Sequence, residues 1–297
     1  MSSVAIIGPG AIGGTIAAHL FALGVHDVTL CVRTPFDSLE VGLPDGTTLR
    51  ATPRVMTSPA PLPIPPEWLL VATKAYDAAG AAAWITTLSG PNTRVAILQN
   101  GVEHIERFRP HVALERLLPV MVDLPAERDA PGRIRQRGRS VFRMPDNELG
   151  QEFLGLLEGT GFDAATSEDF LSVLWRKLAL NAPGAVNALL LQPTGIVRDP
   201  AIAGLMHGMI LEVVAVARAE GAQLDESLAD RIIENQQKAP ADGMNSLHAD
   251  RLAGRMMEVD ARNGAVVRAG RRHGIPTPLN EMALTLLEAL QPGHRLF

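Results

Sequence analysis

The feature that most constrains this 297-residue chain is IIGPGAIGG, residues 6–14, which closes the apolar run VAII (4–7) and opens a helical pattern. Gly8, Gly10 and Gly13 match G-x-G-x-x-G in the strand–turn–helix setting that the pattern requires. There each glycine has a physical task. Gly8 makes the tight turn, Gly10 lets the backbone approach a pyrophosphate, and Gly13 lets the helix pack close to its strand. The first helical amides, from Ala11 and Ile12 onward, are then free to face an anion. The expectation is a dinucleotide held at the start of the first helix.

The rest of the first half fits that start. Near-continuous apolar runs at 4–7, 27–32, 68–73, 94–99 and 117–123 read as parallel strands buried on both faces, with helices over 12–23 and 77–88 between them. Such alternation predicts an α/β, Rossmann-type domain with a doubly wound, mainly parallel sheet. GRIRQRG and RSVFRM alternate polar and apolar residues and predict an antiparallel edge. After TGFDAATSEDF (160–170) only helical patterns remain, about six of them. The expected organisation is therefore a nucleotide domain over 1–166 and an all-α substrate and dimerisation domain over 167–297, with Ser167 placed to cap the first helix.

Composition narrows the class further. Acidic and basic residues are mixed, with a net charge of −5, so no basic block points to nucleic acid. Cys31 is the single cysteine and no His spacing suggests a metal site, so no disulfide frame or metal centre is expected. The stretch LMHGMILEVVAVA (205–217) reads as helix core or subunit interface, and no apolar span is taken to approach the ~20 residues a membrane needs. A cytoplasmic protein is expected.

Polar groups at three strand ends converge on the carboxyl edge of the expected sheet, where such folds bind ligands. Arg33 and Thr34 stand where an NAD-preferring protein places an acid, and a guanidinium there can pair with a 2′-phosphate, so the expected cofactor is NADPH. Lys74 and Asn100 follow the next two strands. Each has a plainer reading, Arg33 and Lys74 as solvated side chains and Asn100-Gly101 as turn chemistry.

Within VLWRKLALNA (173–182), Lys177 and Asn181 lie four residues apart and so share a helix face. An exposed stripe is the plain reading. The alternative is that Lys177 protonates the oxygen of a carbonyl being reduced while Asn181 orients the substrate, in a cleft between the two domains. Apolar neighbours would ease that proton transfer by desolvating the ammonium.

At GPGAIGG, LQNGVEH, WRKLALNA and EVDARNGAVVRAGRRHGIPTPLNEM (258–282), the chain resembles the ketopantoate reductase family of 6-phosphogluconate-dehydrogenase-like reductases. The resemblance implies that Lys177 is the general acid, that Asn181 binds substrate and that Glu258 sits near the substrate hydroxyl and cofactor. It further implies that Ser246 contacts the substrate carboxylate, and that Asn100 and Lys74 line the cofactor and the cleft. Glu258 could instead serve a helix N-terminus, and Ser246 could cap one.

The same resemblance leaves gaps on the substrate side. Ala185 and Thr194 stand where family members commonly carry Asn, and Asn187 falls on the wrong helical face unless Pro183-Gly184 breaks the helix. Asp123 lies where many members have a Thr-rich strand end. The leading expectation is NADPH-dependent reduction of a small 2-oxo acid, 2-dehydropantoate by default, by a homodimer joined through the C-terminal helices. Reduction of an imine or another oxo acid, and a non-catalytic NADP(H) sensor, are the alternatives.

Overall fold

The computed structural model describes residues 2–293. The chain forms two compact units, one of residues 1–99 and 103–170 and one of residues 100–102 and 171–297.

The first unit is built on a six-stranded sheet. Its strands are β1 (Ser3–Ile7), β2 (Asp27–Cys31), β5 (Arg54–Met56), β6 (Trp68–Val71), β7 (Arg94–Ile97) and β8 (Leu117–Pro119), in the order β5-β2-β1-β6-β7-β8. Every pairing is parallel. Counted among themselves the strands run 3-2-1-4-5-6, the order of a dinucleotide-binding fold. Both faces are buried, which explains the unbroken apolar runs. Val4 and Ile6 face α1 (Ala11–Leu23), while Ala5 and Ile7 face α2 (Ala78–Leu88) and α3 (His104–Phe108).

Two smaller sheets complete this unit, and here the structure departs from the sequence reading. RIRQ and VFRM do not pair with each other. The first is β11 (Arg133–Gln136), antiparallel to β10 (Ala126–Ala130) and parallel to β3 (Leu39–Gly42), which in turn pairs with β4 (Thr48–Ala51). The second is β12 (Val141–Pro145), between β9 (Met121–Asp123) and β13 (Asp163–Ser167). Gln136 stiffens the link between them, its Nε2 donating to Gly138 O and Ser140 Oγ. The single strand expected over 117–123 is divided at Val120: β8 belongs to the large sheet and β9 to the small one. Ser167 is the last residue of β13 and not a cap, because the helix starts three residues later at Phe170. α4 (Glu148–Leu156) closes the unit, capped by the Asn147 side chain.

The second unit is helical: α5 (Phe170–Asn181), α6 (Gly184–Leu190), α7 (Pro200–Ala219), α8 (Ser227–Lys238), α9 (Ser246–Leu252), α10 (Ala265–His273) and α11 (Pro278–Ala289). α7 corrects one expectation. It is 20 residues long, with a mean hydropathy of 1.7 over its most apolar 18 residues, which by length and composition alone is enough to cross a membrane. Here Met209, Ile210, Val213 and Val214 lie in the core of the unit. The Glu212 carboxylate on the same helix accepts from Leu279 N, Asn280 N and Asn280 Nδ2 at 2.9, 3.0 and 2.7 Å, fastening the start of α11. Asn280, fully buried, also donates to Met209 O and accepts from Asn263 Nδ2.

Glu212→Ala would leave three donors without their acceptor, which should cost about 2–4 kcal/mol. Glu212→Gln, which keeps an oxygen, should cost less. Urea unfolding of the two variants distinguishes these outcomes, and equal losses would show that the contact is packing alone.

Candidate active site

In the first unit the glycine loop has the geometry its sequence suggests. Gly8 has φ +78°, and a Cβ there would lie 2.6 Å from Thr73 Cγ2, so turn and close approach both require glycine. A Cβ on Gly13 would meet Ala72 Cβ at 2.8 Å and Gly8 O at 2.9 Å, which is the tight seat of helix on strand. Gly10 differs: the nearest atom to its Cβ position is Gly8 O, at 4.0 Å. No side chain caps α1 at Gly10, so the amides of Ala11 and Ile12 keep their positive end for a ligand. An uncapped helix start behind an open glycine fits a pyrophosphate.

Around this loop, Arg33 follows β2 and pairs with Asp77 Oδ2 at 3.1 Å. The Arg33 side chain is 83% exposed, so the pair is weak and the guanidinium is free to exchange partners. Lys74 immediately precedes a short 3-10 turn, Ala75–Asp77, and is half-buried. Gln99, which the sequence reading passed over, is 4% exposed and braces the neighbouring strand ends. Its Nε2 donates to Thr73 Oγ1 at 3.0 Å, and its Oε1 accepts from Arg107. Beside it, His104 Nε2 lies 2.7 Å from Gln99 O. Burial pushes the His104 imidazole down to about 4, so it is neutral and donates to that carbonyl.

In the second unit, Lys177 and Asn181 share one half-buried face of α5, as the i, i+4 spacing predicts, while Leu174, Trp175, Leu178 and Ala179 turn into the core. Glu258 is 4% exposed and accepts a hydrogen bond from Asn100 Nδ2 at 3.1 Å. Gly101 permits this contact. Its φ is +103°, and a Cβ would meet Ala261 O at 2.6 Å. Asn100-Gly101 is therefore more than turn chemistry. Glu258 leads into a π-helical segment, Asp260–Gly264, whose Asn263 donates to Ala182 O at 3.2 Å and so ties the end of α5 to the Glu258 segment.

Ser246 is the first residue of α9, but Asn245 caps that helix, with Oδ1 accepting from His248 N. Ser246 is exposed, and its Oγ accepts from Arg262 Nη2 at 2.6 Å. Three of the four doubtful positions are engaged within the fold. Ala185 is fully buried in the core, and Thr194 Oγ1 donates to Gly243 O at 2.9 Å. The helix does break at Pro183, but Asn187 is spent on the carbonyls of Gln192 and Pro193.

With this geometry in hand, comparison with known proteins is decisive. A family model described as Ketopantoate reductase PanE/ApbA matches residues 4–148, and its C-terminal counterpart matches residues 169–291. The chain belongs to this family. A 2-dehydropantoate 2-reductase of Caulobacter vibrioides is 51% identical over 97% of this chain and 99% of its own. The solved 2-dehydropantoate 2-reductase of Geobacter metallireducens is 27% identical, with a TM-score of 0.89 over 96% of this chain and 99% of that one. A Staphylococcus aureus ketopantoate reductase described as dimeric shares the fold at 24% identity, with a TM-score of 0.85 over 99% of this chain and 100% of that one.

His104, the first residue of α3, gives a pH test of the segment that follows β7. Its folded pKa of about 4 lies below the unfolded value of 6.5, so the stability linked to it is full above pH 6.5 and is lost as the pH falls toward 4. Between pH 7 and 4.5 this amounts to about 2–3 kcal/mol. His104→Gln should remove that share of the acid sensitivity, and unfolding free energies at the two pH values measure it.

Proposed function

We propose that the protein reduces 2-dehydropantoate to pantoate with NADPH. The observation that carries this reading is the buried contact between Asn100 and Glu258, in the same unit as Lys177 and on a family member 51% identical to a reductase of that substrate. In this reading the first unit holds the nucleotide. The amides after Gly8 and Gly10 would hold the pyrophosphate, with Gly13 keeping the helix close, Arg33 would exchange Asp77 for the 2′-phosphate, and Lys74 would line the cofactor and the cleft.

When bound, NADPH would supply the hydride for the keto carbon. As the keto oxygen gains charge, Lys177 donates the proton that makes it a hydroxyl and later regains one from water. Asn181 orients the substrate from one turn further along α5. Glu258 accepts from the substrate hydroxyl, with Asn100 holding the carboxylate in place, and Ser246 donates to the substrate carboxylate. A sensor would have no chemical use for this set. Reduction of a different 2-oxo acid uses the same residues, and a panel of 2-oxo acids and cyclic imines separates these readings by kcat/KM.

The protein acts in the cytoplasm in this reading, and assembles as a homodimer through its helical unit. The apolar stripe Met282 and Leu286 on α11 and Leu290 just past its end, exposed at 45, 46 and 45%, supports the latter.

Three variants test the assignment. Lys177→Ala should lower kcat by ~10²–10⁴-fold with little change in NADPH affinity, and Lys177→Arg should not restore it, because a guanidinium keeps its proton. A wild-type rate in Lys177→Ala would make the lysine a bystander. Arg33→Ala should weaken NADPH binding by about tenfold or more while leaving NADH nearly unaffected. Equal affinity of the unaltered protein for both cofactors would count against the 2′-phosphate role.

A further inference from the structure

Arg262 is the most deeply buried cation near this site, 4% exposed and one turn beyond Glu258. Burying a guanidinium is costly, and a structural arginine normally recovers that cost by matching its five N–H donors to carboxylates or carbonyls. Arg262 does not do so. Its Nη2 donates to a neutral hydroxyl, Ser246 Oγ, at 2.6 Å, and its Nε is buried with no partner. Glu258 and Asp250 are close enough to favour its charged form, while desolvation works against it. Asp250 is engaged by Arg255, at 2.9 Å.

The direction of the Ser246 contact is informative. The hydroxyl oxygen accepts from Arg262, so its own proton points elsewhere, and Ser246 is exposed where Arg262 is not. A hydroxyl polarised from behind by a cation is a stronger donor to an anion in front of it. The order of groups is equally telling: Asn100 contacts Glu258, Arg262 follows one turn on, and Arg262 contacts Ser246. In a 2-oxo acid the carboxylate is bonded directly to the carbonyl carbon. A buried cation between the group that meets the carbonyl oxygen and the group that meets the carboxylate matches that arrangement.

We propose that Arg262 is the positioning residue that makes this site selective for a carboxylate. It orients and polarises Ser246 and places a buried positive charge behind the substrate's anionic end. The proposal rests on the reading of the protein as a 2-oxo acid reductase.

The test compares the wild type with Arg262→Met, which keeps the bulk without the charge, and with Arg262→Lys and Ser246→Ala. Each is assayed with 2-dehydropantoate and with its neutral lactone, and D-pantoate binding is measured by calorimetry. Arg262→Met should raise KM for the acid by about 10- to 100-fold with a much smaller change in kcat. KM for the lactone and the Kd for NADPH should stay near wild type. Arg262→Lys should recover part of the loss, and Ser246→Ala should reproduce most of it, so the outcome does not hang on the folding of one variant. An equal loss on acid and lactone, or no loss on the acid, overturns the proposal while leaving the reductase reading intact. A wild type that neither reduces a 2-oxo acid nor binds pantoate overturns that reading, and this proposal with it.

Discussion

The second unit depends on a buried amide. Asn263, with no exposed surface, donates to Ala182 O at the end of α5 and to Asn280 Oδ1, and Asn280 in turn reaches Met209 O and Glu212. Four elements that are distant in sequence thus meet through two side chains: the helix carrying Lys177, the segment following Glu258, α7 and α11. Apolar packing alone would let these helices slide by fractions of an ångström. Hydrogen bonds buried in a medium of low dielectric resist that, because a misaligned pair leaves a polar group unsatisfied. The placement of Lys177 relative to Glu258 is inherited from this network.

Much of the first unit was legible because two-sided burial writes itself into sequence as unbroken apolar runs. The glycine loop was legible for a similar reason, since sterics leave no other residue at Gly8 and Gly13. The smaller sheets were not. β13 is made of Asp, Ala, Thr and Ser at half-buried positions, and nothing in such a run distinguishes a strand from a loop. The β3–β4 hairpin had a usable signal in PDGT, where Asp45 Oδ1 accepts from Thr47 N and Gly46 takes a positive φ. At the site, Lys177 and Asn181 were legible from helical spacing. The meeting of Asn100 with Glu258, 158 positions apart, was not, because sequence periodicity carries no information about long-range contact. Arg262 offered no such clue, because the run VDARNGAVV also carries Asp260 and Asn263 and does not say which of the three is buried.

The two arginines given proposed ligand roles illustrate opposite uses of one side chain. Arg33 is solvated and held only by a surface ion pair, so its interactions are cheap to rearrange and sensitive to salt. Arg262 is desolvated, so its charge is screened little and acts over a longer range. Under the proposed roles, recognition of the nucleotide could therefore drift by changes at the surface, while recognition of the small substrate would be built into the core of the helical unit.

That asymmetry extends to the π-helical turn at Asp260–Gly264. A π turn holds an extra residue relative to an α turn, and such turns recur at functional positions. Removing one residue here would yield a more regular helix, but every side chain beyond the deletion would rotate by about 100° relative to Glu258. Asn263 would leave Ala182, or Arg262 would leave Ser246; no single register satisfies both. The segment thus cannot change its length without giving up one of these contacts. Its irregularity works as a ruler, measuring the spacing between one polar group and the next.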